Sequence, residues 1–278
     1  MTREIKNVSY DYSGHTVLIT GGGRGQGRAH ALNFAEAGAD IIICEPDHQF
    51  DTVPYALAGP DELNSTAAEV EALGVKCMPA VCDVSDAVQV KTMVDDAIAE
   101  FGKIDILISN GAIDSLASVV DMDEAYWDQM IDVNLKGSFL CSKYVAPGMI
   151  ERGRGKILVT GSVNSHVGSI KQAHYVSSKH GLLGFVRSLA IELAPHGITV
   201  NLVCPGSTDT RMVSGLLESK DGEWLEQLGD LTGPWNLIED GKMLEPAEIT
   251  RAMMWLASDA ADFVTGTSLT VDAGFTVK

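Results

Sequence analysis

Tyr175 and Lys179 lie four residues apart in His174–Leu193, a stretch whose spacing predicts a helix, so both side chains share one face. A phenol with a pKa of about 10 is a poor base at neutral pH, and a nearby ammonium favours its phenolate. Ser162 stands thirteen residues before Tyr175, just after an expected strand, where its hydroxyl would hold a substrate oxygen. Asn134 sits in DVNLKG inside an expected helix, where an amide has poor propensity and needs a reason. Ordering a water that carries a proton outward is one such reason. Singly, each residue has a plain alternative: Tyr and Lys at this spacing are common on helices, and Ser after a strand is a frequent turn. Together, in this order, they point to proton transfer on a hydroxyl or carbonyl oxygen.

A second group lies nearer the N-terminus. TGGGRGQG runs from Thr20 through Gly21, Arg24, Gly25, Gln26 and Gly27, between an expected strand and an expected helix. Glycines let a backbone turn tightly against a pyrophosphate, and the helix start offers free N–H groups to the anion. Glu45 closes the second expected strand, 18 residues after Gly27, where an acid accepts the ribose 2′-hydroxyl of NAD. A solvated strand end would look the same. Arg24 could instead meet a 2′-phosphate, but an acid beside the hydroxyls would repel that phosphate, which favours NAD. Asp83, followed by Val84, could bond an adenine amine or cap the next helix. Ser109, Asn110, Gly111 and Ala112 are small enough for a backbone passing close to a cofactor, or for a plain turn.

These groups need a frame that brings them together. Short β-branched runs alternate with stretches of helical period, the pattern of βαβ units around a parallel sheet. Strands are expected at Thr16–Thr20, Asp40–Cys44, Val75–Cys82, Ile104–Ser109, Lys156–Thr160, Thr199–Val203 and Ser268–Val271. Helices are expected at Gly27–Ala37, Pro60–Leu73, Asp86–Phe101, Asp123–Arg152, His174–Leu193 and Pro246–Ser258, several stopped by a glycine. Two segments break the rhythm: an insertion over 46–60, and 207–245, which holds Trp224 and is broken by glycines. Long loops inside a compact domain are usually functional. No linker or repeat divides residues 1–278, so one domain is expected.

Composition narrows the partners. The 278 residues carry a formal net charge of −18, which argues against general nucleic-acid or anionic-membrane binding. Five scattered cysteines form no CxxC pair, so buried free thiols in a cytoplasmic protein are expected rather than zinc or disulfides. The first residues contain no signal-type apolar stretch, and no run approaches the roughly 20 apolar residues of a membrane span.

The series TGGGRGQG, YVSSK, PG and VDAG resembles the short-chain dehydrogenase/reductase family over essentially the whole chain. The resemblance implies an α/β single-domain Rossmann fold, its seven-stranded, doubly wound parallel sheet ordered 3-2-1-4-5-6-7. It implies a catalytic tetrad of Asn134, Ser162, Tyr175 and Lys179, and cofactor contacts at Gly21, Gly25, Gly27, Glu45, Asp83, Asn110, Pro205, Gly206 and Thr208. The family's NAG appears here as Asn110-Gly111-Ala112, a swap of small residues. A narrower resemblance, through VPYALA (53–58) and VDAGF (271–275), is to the carveol-dehydrogenase-like enzymes of actinobacteria coupled to the peptide-derived redox carrier mycofactocin. It implies NAD that does not exchange, with the insertion folded over its adenosine end; a surface or interface loop is the alternative.

The expected reaction moves a hydride between nicotinamide and a hydrophobic secondary alcohol or ketone, with Ser162, Val163, Val167, Tyr175, Met212, Trp224 and Leu228 around the substrate. Leu216, Leu225 and His174 are further candidate walls, and a surface or packing role for His174 is expected ahead of that of a second acid. Residues 224–228 would form a lid or an amphipathic helix on its own core. The resemblance implies a homotetramer, and the two longest expected helices are long enough to pack across a two-fold axis. The alternatives are a ketoacyl- or steroid-type reductase with exchangeable NAD(P), and a nucleotide sensor without catalysis, which an intact tetrad disfavours.

Overall fold

The structure, a computed structural model, describes residues 7–219, 236–238 and 242–277. Seven strands form one parallel sheet in the order β3-β2-β1-β4-β5-β6-β7. They are β1 Thr16–Thr20, β2 Asp40–Glu45, β3 Cys77–Val81, β4 Ile106–Ser109, β5 Gly155–Thr160, β6 Ile198–Pro205 and β7 Ser268–Val271. The helices are α1 Gly25–Glu36, α2 Pro60–Glu71, α3 Ala87–Phe101, α4 Glu124–Ile131, α5 Gly137–Arg152, α6 Ala173–Leu193, α7 Arg211–Glu218 and α8 Pro246–Ala257.

Alternate residues of the central strands feed two separate cores. Leu18, Ile42, Leu107 and Ile157 point into a core completed by α3, α5 and α6. Val17, Ile41, Ile106 and Leu158 point into the other, completed by α1, α2 and α8. Both faces are therefore dry, which is why these strands read as unbroken apolar runs. Helix ends follow local chemistry. Asp86 caps α3 by accepting from the Val88 and Gln89 N–H groups, and Gly102 stops it at φ +77°. Pro60, with Asp61 and Glu62 behind it, starts α2.

One expected element is built differently. The helix expected over Asp123–Arg152 is interrupted by a π-helical turn at Asp132–Lys136, between α4 and α5. The widened turn carries Asn134, whose Oδ1 accepts the Ile113 N–H at 2.8 Å while its Nδ2 donates to the Ile113 carbonyl at 2.9 Å. A non-local chain segment, invisible to helical periodicity, thus accompanies the break. The helix expected from Gly27 begins two residues earlier, at Gly25. All five cysteines are free, and Cys44, Cys82, Cys141 and Cys204 are buried. No described helix is long and apolar enough to cross a membrane. Trp224, Leu225 and Leu228 lie outside the described residues.

The approach of α1 to the end of β1 leaves no room at Gly27, where a Cβ would fall 1.9 Å from the Gly21 carbonyl oxygen. Gly27→Ala is expected to destabilise the cofactor-free protein by about 1–3 kcal/mol, read by urea unfolding, through overpacking against backbone that cannot step aside. An unchanged midpoint would show that the loop yields freely.

Candidate active site

The sheet order reverses between β1 and β4, and there the loops leaving the two strands diverge to open a crevice at their carboxyl ends. A cavity of about 300 Å³ occupies it. Thr20 and Asn110 hold its floor. Thr20 Oγ1 accepts the N–H groups of Asn110 and Gly111 at 3.0 and 2.9 Å. Asn110 Nδ2 donates to the Thr20 and Gly21 carbonyls at 3.1 and 3.3 Å, and its Oδ1 accepts from the Thr160 hydroxyl. Gly21 takes φ +68°, and a Cβ on it would reach 2.8 Å from the Gly111 Cα. Only glycine meets both demands without strain.

At one end of the cavity, α1 starts with no side-chain cap and no acid in its first turn. Its N–H groups and positive dipole end are thus available to an anion. Gly21, Arg24, Gly25 and Gln26 line this end, and the buried Gln26 Oε1 has no hydrogen-bond partner. Gly27 does not line the cavity; its part is the close helix–loop approach. Glu45 is buried beside the loop, accepting the Gly23 N–H at 2.8 Å. Burial pushes its carboxyl up to about 7, against the pull of that N–H and of Arg24. Asp83 and Val84 continue the wall. Asp83 Oδ1 accepts from the Ser85 N–H and hydroxyl, and its Oδ2 lies 3.3 Å from His48 Nε2, while the helix cap is Asp86. Across the crevice, Pro205, Gly206 and Thr208 line the cavity, as does Ser207, whose buried Oγ is unpartnered. An uncapped helix start, a cradle that any Cβ would fill, a buried acid and orphaned polar atoms suit a dinucleotide.

Arg24 faces elsewhere than a 2′-phosphate would require. Its guanidinium donates to the Ala56 carbonyl in the insertion and lies 3.6 Å from Glu62 Oε2. The insertion is packed inward, not left as a surface loop. Phe50 joins Ile113, Met130, Val133 and Tyr175 in a third apolar cluster, with Val53 and Leu57 against it. Tyr55 reaches further than the adenosine end, where sequence placed it: its hydroxyl accepts the Asp114 N–H at 3.0 Å.

At the other end stand Ser162, Tyr175 and Lys179, all lining the same cavity. The Ser162 hydroxyl favours the ionised form of Tyr175, and itself accepts the Asn164 N–H at 3.1 Å. Lys179 Nζ donates to the Thr160 carbonyl at 2.9 Å and lies 5.5 Å from the Tyr175 ring centroid. Burial lowers the Lys179 ammonium to about 8, opposed by Asp114. Burial raises Tyr175, an ionised Asp114 would raise it further, and Ser162 only partly offsets the rise. The expectation that the ammonium favours a phenolate is therefore corrected for the cofactor-free site: desolvation outweighs it, and the phenol keeps its proton.

Asn134 is buried but does not line the cavity. Its amide is spent on Ile113 and on Ser178 Oγ at 3.2 Å, so it positions the segment beside Tyr175 rather than facing a water through its side chain. Val163, Met212 and Leu216 line the substrate end, whereas Val167 does not. His174 is fully buried with Nε2 3.0 Å from Ser115 Oγ, the packing role expected for it. Sequence reasoning missed Asp114 and Gln172, both buried and both on the cavity wall. The available signal was an acid isolated among apolar residues four positions after Asn110.

The Glu45 carboxyl sits in the folded protein at about 7 against an ordinary 4.5, so its stabilising contribution is full below pH 4.5 and is lost as pH rises through about 7. Glu45→Gln removes that loss. In cofactor-free protein, the thermal midpoint of the variant is expected to fall less than that of the wild type between about pH 5 and about pH 8. Parallel trends would mean that the carboxyl does not ionise in this range.

A family model described as enoyl-(acyl carrier protein) reductase matches residues 21–276. The (−)-trans-carveol dehydrogenase of Rhodococcus erythropolis is 36% identical over 95% of this chain and 98% of its own. The crystal structure of carveol dehydrogenase from Mycobacterium avium in complex with NAD superposes with a TM-score of 0.90 at 31% identity, covering 97% of this chain and 100% of that one. A short-chain dehydrogenase from Mycobacterium paratuberculosis bound to NAD gives 0.91 at 34%, covering 96% and 99%. With the reversed sheet order, the glycine loop on α1 and the Ser162–Tyr175–Lys179 group in one crevice, this likeness over nearly the whole length establishes that the chain belongs to the short-chain dehydrogenase/reductase family.

Proposed function

We propose that the protein is an NAD-dependent dehydrogenase of hydrophobic secondary alcohols, of the carveol or another cyclic type, that holds its nucleotide without ready exchange. The observation that carries the reading is the joining of two half-sites in one cavity: the glycine loop with Glu45 at one end, Ser162, Tyr175 and Lys179 at the other. NAD, when bound, supplies the hydride acceptor or donor. Gly21, Arg24, Gly25, Gln26 and the α1 N-terminus would hold its pyrophosphate, and Glu45 its ribose hydroxyls. Asp83 and Val84 flank its adenine; Asn110, Gly111, Pro205, Gly206 and Thr208 flank its nicotinamide half. Arg24, already engaged by Ala56 and Glu62, leaves no free cation for a 2′-phosphate, which favours NAD over NADP.

In the alcohol-to-ketone direction, Ser162 Oγ holds the substrate oxygen and Tyr175, having first given up its own proton, takes the hydroxyl proton on its phenolate oxygen as the carbon is oxidised. A buried phenol gives up its proton reluctantly, so reaching the phenolate relies on the Lys179 ammonium beside it. Lys179, fixed by the Thr160 carbonyl, would also hold the nicotinamide ribose. Asn134 acts through Ile113, keeping the wall opposite Tyr175 in place. Val163, Met212 and Leu216 exclude water and favour an apolar substrate, and Trp224 and Leu228 are proposed for the lid.

Retention of the nucleotide follows from an insertion anchored at both ends of the cavity, by Arg24 to Ala56 and by Tyr55 to Asp114. An enzyme that keeps its nucleotide needs an external electron acceptor, and a mycofactocin-type carrier is the partner we assign to it. The assembly we infer is a homotetramer, with apolar side chains exposed on the long helices, Phe139 on α5 and Ile191 on α6.

Protein purified without added nucleotide and then denatured is expected to release about one NAD or NADH per chain, identified by mass spectrometry. An empty site would remove retention and leave the dehydrogenase reading standing. Arg24→Ala is expected to lower that recovery severalfold. Tyr175→Phe is expected to retain the nucleotide while losing alcohol oxidation by a factor of about 100 or more. Oxidation at the wild-type rate would remove Tyr175 from the proton path.

A further inference from the structure

Two buried polar side chains at the substrate end have no part in the steps above. Asp114 leaves the loop after β4 and is 4% exposed. Its Oδ2 accepts a hydrogen bond from Gln172 Nε2 at 2.6 Å, while Oδ1 is buried and has no partner. Gln172, also 4% exposed, precedes α6 on the same wall of the cavity. Three features hold the pair in place. The Tyr55 hydroxyl accepts the Asp114 main-chain N–H. The Lys171 carbonyl accepts the Ala117 N–H at 2.9 Å, tying the two loops together. Lys171 itself takes φ +56°, a left-handed backbone that a non-glycine residue keeps only where its surroundings impose it.

A wholly apolar substrate gives this arrangement no purpose. Burying a carboxyl with one oxygen unpaired is costly, and a leucine in its place would suit an apolar ligand better. Resting on the dehydrogenase reading, we propose that Asp114, positioned by Gln172 and Tyr55, is a specificity-determining residue that receives a second oxygen of the substrate, so that diols, hydroxyketones and diketones are preferred over alcohols with one oxygen. The groups facing Asp114 settle which form of the carboxyl does this. Lys179, the Gln172 amide and the Ser115 N–H favour the anion, but burial outweighs them and raises the carboxyl well above the usual range. The neighbouring Tyr175 and Tyr55 are themselves raised and stay uncharged. A protonated Asp114 donates to a neutral oxygen, and an ammonium would be the wrong partner. A site built to hydrogen-bond a substrate oxygen discriminates strongly against the analogue lacking it, because its own polar groups are then stranded.

The test uses the full-length enzyme saturated with NAD, with an artificial electron acceptor supplied to reoxidise the NADH formed. Turnover is compared on cyclohexanol, the 1,2-, 1,3- and 1,4-cyclohexanediols and trans-4-aminocyclohexanol. Binding of cyclohexanone and 1,4-cyclohexanedione, neither of which has an alcohol to oxidise, is compared by calorimetry. In the wild type, at least one diol is expected to exceed cyclohexanol about tenfold or more in kcat/KM, and the dione to bind correspondingly tighter than the ketone. In Asp114→Leu both ratios are expected to fall towards one, whatever the variant does to the absolute rate. Asp114→Asn, which keeps an acceptor for Gln172 and an N–H donor, is expected to restore most of the preference. Equal handling of one- and two-oxygen probes by the wild type would overturn the proposal, even if the leucine variant failed to fold. A preference that survives in Asp114→Leu, or one for the amino alcohol above every diol, would overturn it too. Turnover of no alcohol would remove the dehydrogenase reading, while the two binding ratios would still decide the subsite.

Discussion

The whole site depends on how the chain ends at the switch point are satisfied. Where β1 and β4 lie side by side, their following loops diverge, and the gap between them must stay open for a ligand. Backbone groups there cannot be covered by another element, yet leaving them unpaired would cost as much as any lost hydrogen bond. Thr20 and Asn110 resolve this with side chains that bond sideways along the floor of the crevice, and Asn110 extends the link to Thr160 on β5. The Thr160 carbonyl in turn holds Lys179. One short polar chain thus runs from the glycine loop to the lysine beside the reacting tyrosine.

That layout explains which parts of the molecule were legible in the sequence. β1 and β7 fall on the expected residues, because an apolar run bounded by glycine or polar residues is a local signal. The glycine loop, Glu45 and the Ser162–Tyr175–Lys179 group were legible for the same reason: each is a short-range pattern. What escaped depends on pairs far apart in the chain. The π-turn at Asp132–Lys136 pairs Asn134 with Ile113, 21 residues away. Tyr55 meets Asp114 across 59 residues, and Asp114 meets Gln172 across 58. No periodicity encodes such contacts. Val167, expected around the substrate, does not line the cavity, because the chain beyond Ser162 passes through a 3-10 turn at Val163–Ser165 whose direction no sequence period sets.

Electrostatics inside the crevice are governed by desolvation more than by pairing. Glu45, Asp114 and Tyr175 are all pushed towards their neutral forms, and Lys179 is pulled towards its own. In a chain with a net charge of −18, burying acids in neutral form keeps the cavity from becoming another negative patch. A site of this kind is poised rather than charged, so small changes in what fills it alter which groups hold protons.

The insertion has a consequence for anyone who would redesign this scaffold. Tyr55 is gripped from the far side by Gly215 in α7, where a Cβ would meet the Tyr55 Cβ at 2.4 Å. The same segment touches the glycine loop through Ala56 and the chamber wall through Asp114. The two ends of the cavity are therefore a single engineering variable in this protein. Trimming Tyr55 to enlarge the chamber would also slacken the hold on the glycine loop, and any change that freed that loop would in turn reshape the chamber wall.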